Sequence, residues 1–193
     1  RRKISEKSSY HHRSVNLIVE GLYSKSPEEK GHSENVSALS EAIGREMGLG
    51  QPDLDDLKTA GVIHDIGKIG VSDRILEKSG PLDEDEWQEM KRHPEIGYSI
   101  LSTVNEYSPF AEIVLSHHER WDGTGYPKGL KRGEIPLFSR ILAVAEAYDA
   151  MVSGRSYRKA MGREEAVAEL RRCAGTQFDP EVVDVFIEKV FGK

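Results

Sequence analysis

Four histidines stand on the apolar stripes of segments that read as helix, and this constrains the fold more than any other feature of the chain. His32 lies four residues before Val36 on a stripe with Leu39 and Ile43; His64 follows Leu57 and Gly61; His93 follows Met90 and precedes Gly97 and Ile100; His117 follows Phe110 and Val114. Residues three and four apart share a helix face, so each imidazole points inward with its apolar neighbours. His118 follows at the end of the last segment. A single histidine on such a face is ordinarily a core residue bonded to a backbone carbonyl. Five in one small core are a different matter, because each buried imidazole needs a partner and separate polar niches are costly. One shared solution is a metal cluster.

The rest of the chain carries the same helical periodicity and no convincing alternating strand. Helices are expected over 8–23, 32–47, 54–66, from 82 with a pause at Pro94, 110–117, 137–152, 163–173 and 180–191. Asp83 is a plausible N-cap, and the Gly- and Pro-rich run from Asp122 to Pro136 is a loop. The expected fold is all-α, an irregular bundle of about seven or more helices. Residues 1–24 read as a lead-in or linker helix and 25–193 as the functional domain. The first residue is Arg1 rather than Met, so the chain is expected to be a piece of something longer.

Composition narrows the function classes. The net charge of −6 over 193 residues argues against non-specific DNA binding, which needs a basic footprint. The single cysteine, Cys173, excludes an intrachain disulfide and a Cys-rich zinc site, and is expected to be a small buried apolar residue. No stretch of about 18 apolar residues exists to span a membrane, and the Arg1-Arg2-Lys3 start has no signal-peptide core. A reducing, cytoplasmic setting fits.

The histidines have acidic company. Asp65 adjoins His64, Glu28 precedes His32 by one helical turn, and Glu146 lies on the inward face of a later segment. Nitrogen and oxygen ligands without thiolates suit Fe, Mn, Zn or Co. More ligands than one ion can take imply two or three ions with a bridging carboxylate. Such centres activate water and clamp the oxygens of an in-line displacement, which points to phosphate-ester hydrolysis. Cations for an anionic substrate are at hand: between His117 and Lys159 eight Lys/Arg face five Asp/Glu.

At this point the residues resemble a known family. His64-Asp65-Ile66-Gly67-Lys68 is similar to the signature of the HD metal-dependent phosphohydrolases. The run from His117-His118-Glu119 through Asp122-Gly123-Thr124-Gly125-Tyr126-Pro127 resembles that of the HD-GYP subgroup. Glu134-Ile135-Pro136, Arg140-Ile141-Leu142, Tyr148-Asp149-Ala150, Arg155-Ser156-Tyr157-Arg158 and Phe178-Asp179-Pro180 continue it in order. The resemblance implies a phosphodiesterase that opens cyclic di-GMP to pGpG or GMP by a metal-activated hydroxide, with two or three divalent ions, iron or manganese. It implies Glu28, His32, His64, Asp65, His93, His117, His118 and Glu146 as metal ligands, with Asp65 bridging. Asp65 and Lys68 are the implied catalytic residues, and Lys68 would face the scissile phosphate. Arg120, Tyr126, Arg155 and Arg158 would join Lys68 in binding substrate. The Gly-Tyr-Pro loop would be a contact for diguanylate cyclase domains. The lead-in helix would connect an upstream sensor or receiver domain, and a homodimer through it is an alternative to a monomer.

The sequence departs from the family at one ligand. The family pattern has Asp where Glu146 stands, so the charge is kept and a methylene is added. Carboxylates of either length serve hard metals. Two alternatives follow: a degenerate domain that binds metal or cyclic di-GMP and signals by contact, or a hydrolase of another cyclic dinucleotide or nucleotide.

Overall fold

The computed structural model describes residues 15–153 and 160–192. Arg155 and Arg158 lie outside the described residues. Residues 15–25 form α1. There follow α2 (Pro27–Glu46), α3 (Gln51–Ile63), a 3-10 turn (Ile66–Gly70), α4 (Asp73–Leu76), α5 (Glu84–Met90), α6 (His93–Ser102) and α7 (Ser108–Leu115). After a long loop with a 3-10 turn at Arg132–Glu134 come α8 (Leu137–Val152), α9 (Arg163–Cys173) and α10 (Pro180–Val185), which runs into a π-helical turn at Phe186–Phe191. Among the described residues the only strand-like pairing is one isolated bridge, Ala174 with Phe178. The all-α expectation holds.

Prolines set many of the starts. Pro27, Pro52, Pro94, Pro109 and Pro180 each occupy the first turn of a helix, where a missing N–H costs nothing. This explains two differences from the sequence reading. The segment from residue 82 does not pause at Pro94; α5 ends at Met90 and α6 begins afresh at His93. The helix expected from residue 110 begins two residues earlier, with Pro109 in its first turn, and stops at Leu115. Asp83 caps α5 as expected, and its capping box is completed by Glu86. The helix expected to run to residue 66 ends at Ile63. Cys173 is only half-buried.

α8 is the central element. Ile141, Leu142, Val144 and Ala145 are fully buried, as are Val36 and Ile43 of α2, Leu170 of α9, and Val182 and Val183 of α10. Val15, Val19 and Leu22 bring one face of α1 into contact with the body of the molecule. Two glycines let backbones touch. A Cβ on Gly61 would meet Ser37 Cα at 2.5 Å, so α3 lies directly against α2. A Cβ on Gly67 would meet the His93 carbonyl oxygen at 1.8 Å, so the turn after α3 lies directly against the start of α6. These approaches bring His32, His64 and His93 toward one point.

Candidate metal centre

Three of the histidines arise from one local device. α3, α5 and α7 end at Ile63, Met90 and Leu115, and His64, His93 and His117 lie one to three residues beyond those ends. The last carbonyls of a helix have no partner within it. Each ring reaches back three residues to such a carbonyl: His64 Nδ1–H donates to Gly61 O at 2.7 Å, His93 Nδ1–H to Met90 O at 2.8 Å, and His117 Nδ1–H to Val114 O at 2.5 Å. His32 is held differently, its Nδ1–H donating to the Asp149 carboxylate at 2.7 Å. A carbonyl or carboxylate can only accept, so all four rings carry a proton on Nδ1 and turn Nε2 to the centre.

Those Nε2 atoms converge on Asp65, which is 1% exposed. Oδ2 lies 3.1 Å from His64 Nε2 and 3.9 Å from His32 Nε2; Oδ1 lies 3.2 Å from His93 Nε2 and 3.9 Å from His117 Nε2. His93 Nε2 is also 3.3 Å from His117 Nε2 and 3.2 Å from His118 Nε2. His32 Nε2, His64 Nε2 and Asp65 Oδ1 are buried without a hydrogen-bond partner. Ring nitrogens and carboxylate oxygens gathered at such distances, away from water, suit a cation between them, which takes the place of any proton on Nε2. Two ligand groups result, each with its atoms within 4.8 Å of one another: Asp65, His93, His117 and His118; and His32, His64, Asp65 and Glu146. Asp65 belongs to both. The residues present therefore fit divalent ions held by nitrogen and oxygen.

The protonation states follow the same geometry. Burial and the facing imidazoles hold His117 and His118 well below the ordinary histidine range, so both stay neutral. Burial opposes a charge on His64, but the Asp65 carboxylate outweighs it and lifts the ring to about 9. Burial likewise opposes ionisation of Asp65, yet Lys68 and His64 hold its carboxyl well below the ordinary range. Lys68 is buried, with Nζ 2.7 Å from Asp65 Oδ2 and 3.0 Å from Glu29 Oε1.

That last contact involves the neighbour of Glu28. Glu28, expected as a ligand, is exposed on α2 and joins neither ligand group; Glu29 is the acid that turns in. The buried face of α2 runs through Glu29, His32, Ser33, Val36, Ser40 and Ile43. Counting back two turns from Val36 gives Glu29, so the signal was in the stripe. Glu146 is brought to the cluster from α8. Asp149, one turn on, accepts from His32, from Asn35 Nδ2 at 2.8 Å and from Ser153 Oγ at 2.9 Å, and so orients a ring without joining a ligand group.

The Gly-Tyr-Pro loop closes one side. Tyr126 stacks on His118 with ring centres 5.0 Å apart, and burial and the Glu146 charge push its phenol above the usual range. Tyr126–Pro127 is a cis peptide bond. The loop hangs on Glu119, which sequence reasoning passed over. This buried carboxylate accepts three consecutive amides, from Lys128 at 2.6 Å, Gly129 at 3.1 Å and Leu130 at 3.0 Å. Arg120 borders a cleft of about 170 Å³ with His118, Glu146 and Phe178, while its Nε–H donates to Thr124 Oγ1 at 2.9 Å. Lys91, also passed over, holds its ammonium 5.7 Å from the Tyr126 ring centre. Among the described residues no helix is long and apolar enough to cross a membrane.

Fold and centre together define a helical domain built to hold metal between helix ends. The chain belongs to the HD domain family, whose model matches residues 16–182. It is 48% identical over 161 residues to a cyclic di-GMP phosphodiesterase of Thermotoga maritima, covering 81% of this chain and 43% of that protein. It is 40% identical over 157 residues to a 3'3'-cGAMP-specific phosphodiesterase of Vibrio cholerae, covering 81% of this chain and 34% of that protein. The chain thus spans less than half the length of these curated relatives. Its fold matches a solved HD-GYP-type protein of Bdellovibrio bacteriovorus with a TM-score of 0.70 at 18% identity, covering 96% of this chain and 62% of that one.

Proposed function

We propose that this chain is the catalytic domain of a cyclic di-GMP phosphodiesterase that yields pGpG and, in a second cut, GMP. The observation that carries the reading is Asp65, whose two oxygens face two sets of imidazoles already committed to present Nε2. His93, His117 and His118 with Asp65 would hold one ion, and His32, His64 and Glu146 with Asp65 a second; iron or manganese suits both. Bound there, the ions would supply charge for the phosphate oxygens and an activated water.

The protein's own groups do the rest. The Nδ1 hydrogen bonds fix His32, His64, His93 and His117 before substrate arrives, so no reorganisation of these rings is spent during reaction. Lys68, beside Asp65, sets a positive charge at the edge of the centre, where charge builds on the phosphoryl oxygens. Tyr126 stacks on His118 at the edge of the centre, and Arg120, with Arg155 and Arg158, would take the outer phosphate. Residues 25–193 form the catalytic unit in this reading, with α1 as the lead-in from an upstream regulator. The Gly-Tyr-Pro loop is then available to a diguanylate cyclase domain. The Vibrio relative favours a second reading, 3'3'-cGAMP as substrate.

The test is metal content and turnover measured together, on protein purified without oxygen and reloaded with Fe(II) or Mn(II). Two ions per chain with pGpG or GMP formed, and cyclic di-GMP preferred over 3'3'-cGAMP, is the expected result. Two ions without turnover, with activity appearing in Glu146→Asp, would replace the enzyme by a degenerate binding domain. A chain that takes up no metal would overturn the reading.

A further inference from the structure

A second cavity opens beside Lys68 and has no histidine in its lining. It measures about 280 Å³ and is bordered by Lys68 and Glu29 on the side of the centre and by Leu76, Pro81, Trp87 and Met90 elsewhere. The described mechanism uses none of these last four residues. The volume is near the lower end for small-ligand pockets, about 300 Å³, so it is too small for a whole cyclic dinucleotide and suited to one flat ring system.

Trp87 gives the cavity its character. It is 40% exposed, and it is the one aromatic residue among the exposed large apolar side chains of the described residues. An indole left in water at the wall of a cavity is a ready stacking surface, and every nucleobase has a matching π-face. Lys91 Nζ lies 5.5 Å from the Trp87 ring centre and 5.7 Å from that of Tyr126, which in turn stacks on His118. The sequence Trp87, Lys91, Tyr126, His118 thus runs from the cavity to the metal cluster without a break. Lys78 borders the cavity as well, and Lys91 stands over the Trp87 ring, so a base carrying a phosphate finds cations along its edge. Glu29 and Glu86 are the opposing acids, drawn onto Lys68 and Lys78 respectively.

We infer that this cavity is a nucleobase subsite: it takes one purine of a nucleotide whose phosphate sits at the metal cluster, with Trp87 as the stacking face and Lys91 guarding the edge nearest Tyr126. The inference rests on the phosphodiesterase reading for the placement of the phosphate. It assigns Trp87 a part in substrate affinity that the metal chemistry alone does not require.

The test is titration of tryptophan emission in the metal-loaded chain, with GMP as probe and inorganic phosphate as the probe that lacks a base. GMP is expected to quench emission and to bind about ten-fold more tightly than phosphate, toward the weaker end of what base–aromatic stacking contributes. Trp87→Ala, at a half-exposed site, should keep the wild-type melting temperature and metal content. It should lose the quench and bind GMP no better than phosphate, while Trp87→Phe should keep most of the preference. GMP affinity within two-fold of wild type in Trp87→Ala, or no preference for GMP over phosphate in the wild type, would overturn the subsite. Cyclic di-GMP turnover by the wild type separates the two ideas. Turnover with no effect of Trp87→Ala on GMP binding keeps the enzyme and removes the subsite. A Trp87-dependent GMP preference without turnover keeps a nucleotide subsite and removes the enzyme.

Discussion

Asp149 offers a direct test of how the centre is organised, because it touches the cluster only through His32. Its buried carboxylate accepts from His32 Nδ1–H at 2.7 Å, Asn35 Nδ2 at 2.8 Å and Ser153 Oγ at 2.9 Å. Asn35 and Ser153 are exposed and can turn to water in Asp149→Ala, but the ring of His32 is buried and cannot. Leaving one buried donor unpaired costs about 1–3 kcal/mol. The larger consequence is for metal. Without the carboxylate, nothing fixes the proton on Nδ1, and tautomers that cover Nε2 compete with metal binding. Loss of such an orienting partner ordinarily lowers metal affinity about 10–100-fold. The loss should fall on the group of His32, His64 and Glu146, and spare that of His93, His117 and His118. Competition against a chelator with Mn(II), read as metal per chain, should show one weakened site and one nearly unchanged. Asp149→Asn keeps an acceptor for the ring and should lie between Asp149→Ala and wild type. If Asp149→Ala holds both ions as tightly as wild type with an unchanged Tm, the orienting role is wrong.

Three further outcomes follow from the geometry. Gly67→Ala forces a methyl onto the His93 carbonyl, 1.8 Å away, and onto Gly97 N at 2.6 Å; both are backbone, so α6 must move and the chain should lose metal and several degrees of Tm, checked by elemental analysis and calorimetry. Glu119→Gln brings an amide N–H against backbone donors and weakens three charge-assisted bonds, so urea unfolding should show a loss of about 2 kcal/mol, with faster proteolysis inside 122–136; unchanged cleavage would refute the anchoring. Metal affinity should climb with pH to about 9, because the proton that Asp65 holds on His64 must leave before that Nε2 can bind, and should level off above. Chelator-stripped protein runs the other way: the raised His64 adds stability in full below its ordinary 6.5, and that part is lost as pH rises through about 9. A pH-independent Mn(II) titration between pH 6 and 9 would refute this.

The parts legible in the sequence were those written in periodicity and in motif. α8 and α9 have the bounds expected for them, since each is an uninterrupted 3.6-residue pattern. The inward turn of His32, His64, His93 and His117 was readable for the same reason, although three of them lie beyond helix ends or at a helix start rather than within the helices that precede them. Their stripe position is kept because a ring one turn past the last apolar residue still projects over the same face. Glu28 and Glu29 were harder: residues three and four before His32 both lie near its face, and only the full stripe to Val36 and Ile43 separates them. Asp149 and Glu119 act through atoms remote in sequence, on His32 across 117 residues and on backbone amides that carry no side-chain signature. Such roles depend on how helices and loops meet, which no local pattern records. Trp87 lies within the short helix α5 and Lys91 just past its end, and only the cavity beside Trp87 gives the pair meaning.

The placement of the cluster at helix C-termini has an electrostatic consequence. The C-terminal end of a helix carries partial negative charge and favours cations. α3, α5 and α7 all end at this point, and the carbonyls of Gly61, Met90 and Val114 are spent on holding imidazoles rather than on water. The fold thus surrounds Asp65 with three negative helix ends, the neutral rings of His117 and His118, the raised ring of His64 and one lysine. Such a pocket is poor for an anion and good for a divalent cation. On the proposed reading, bound ions reverse the sign of the site and so prepare it for a phosphate diester, beside the buried Lys68. The glycines at 61 and 67, which let three helices approach closely enough for this reversal, belong to the chemistry as much as the ligands do.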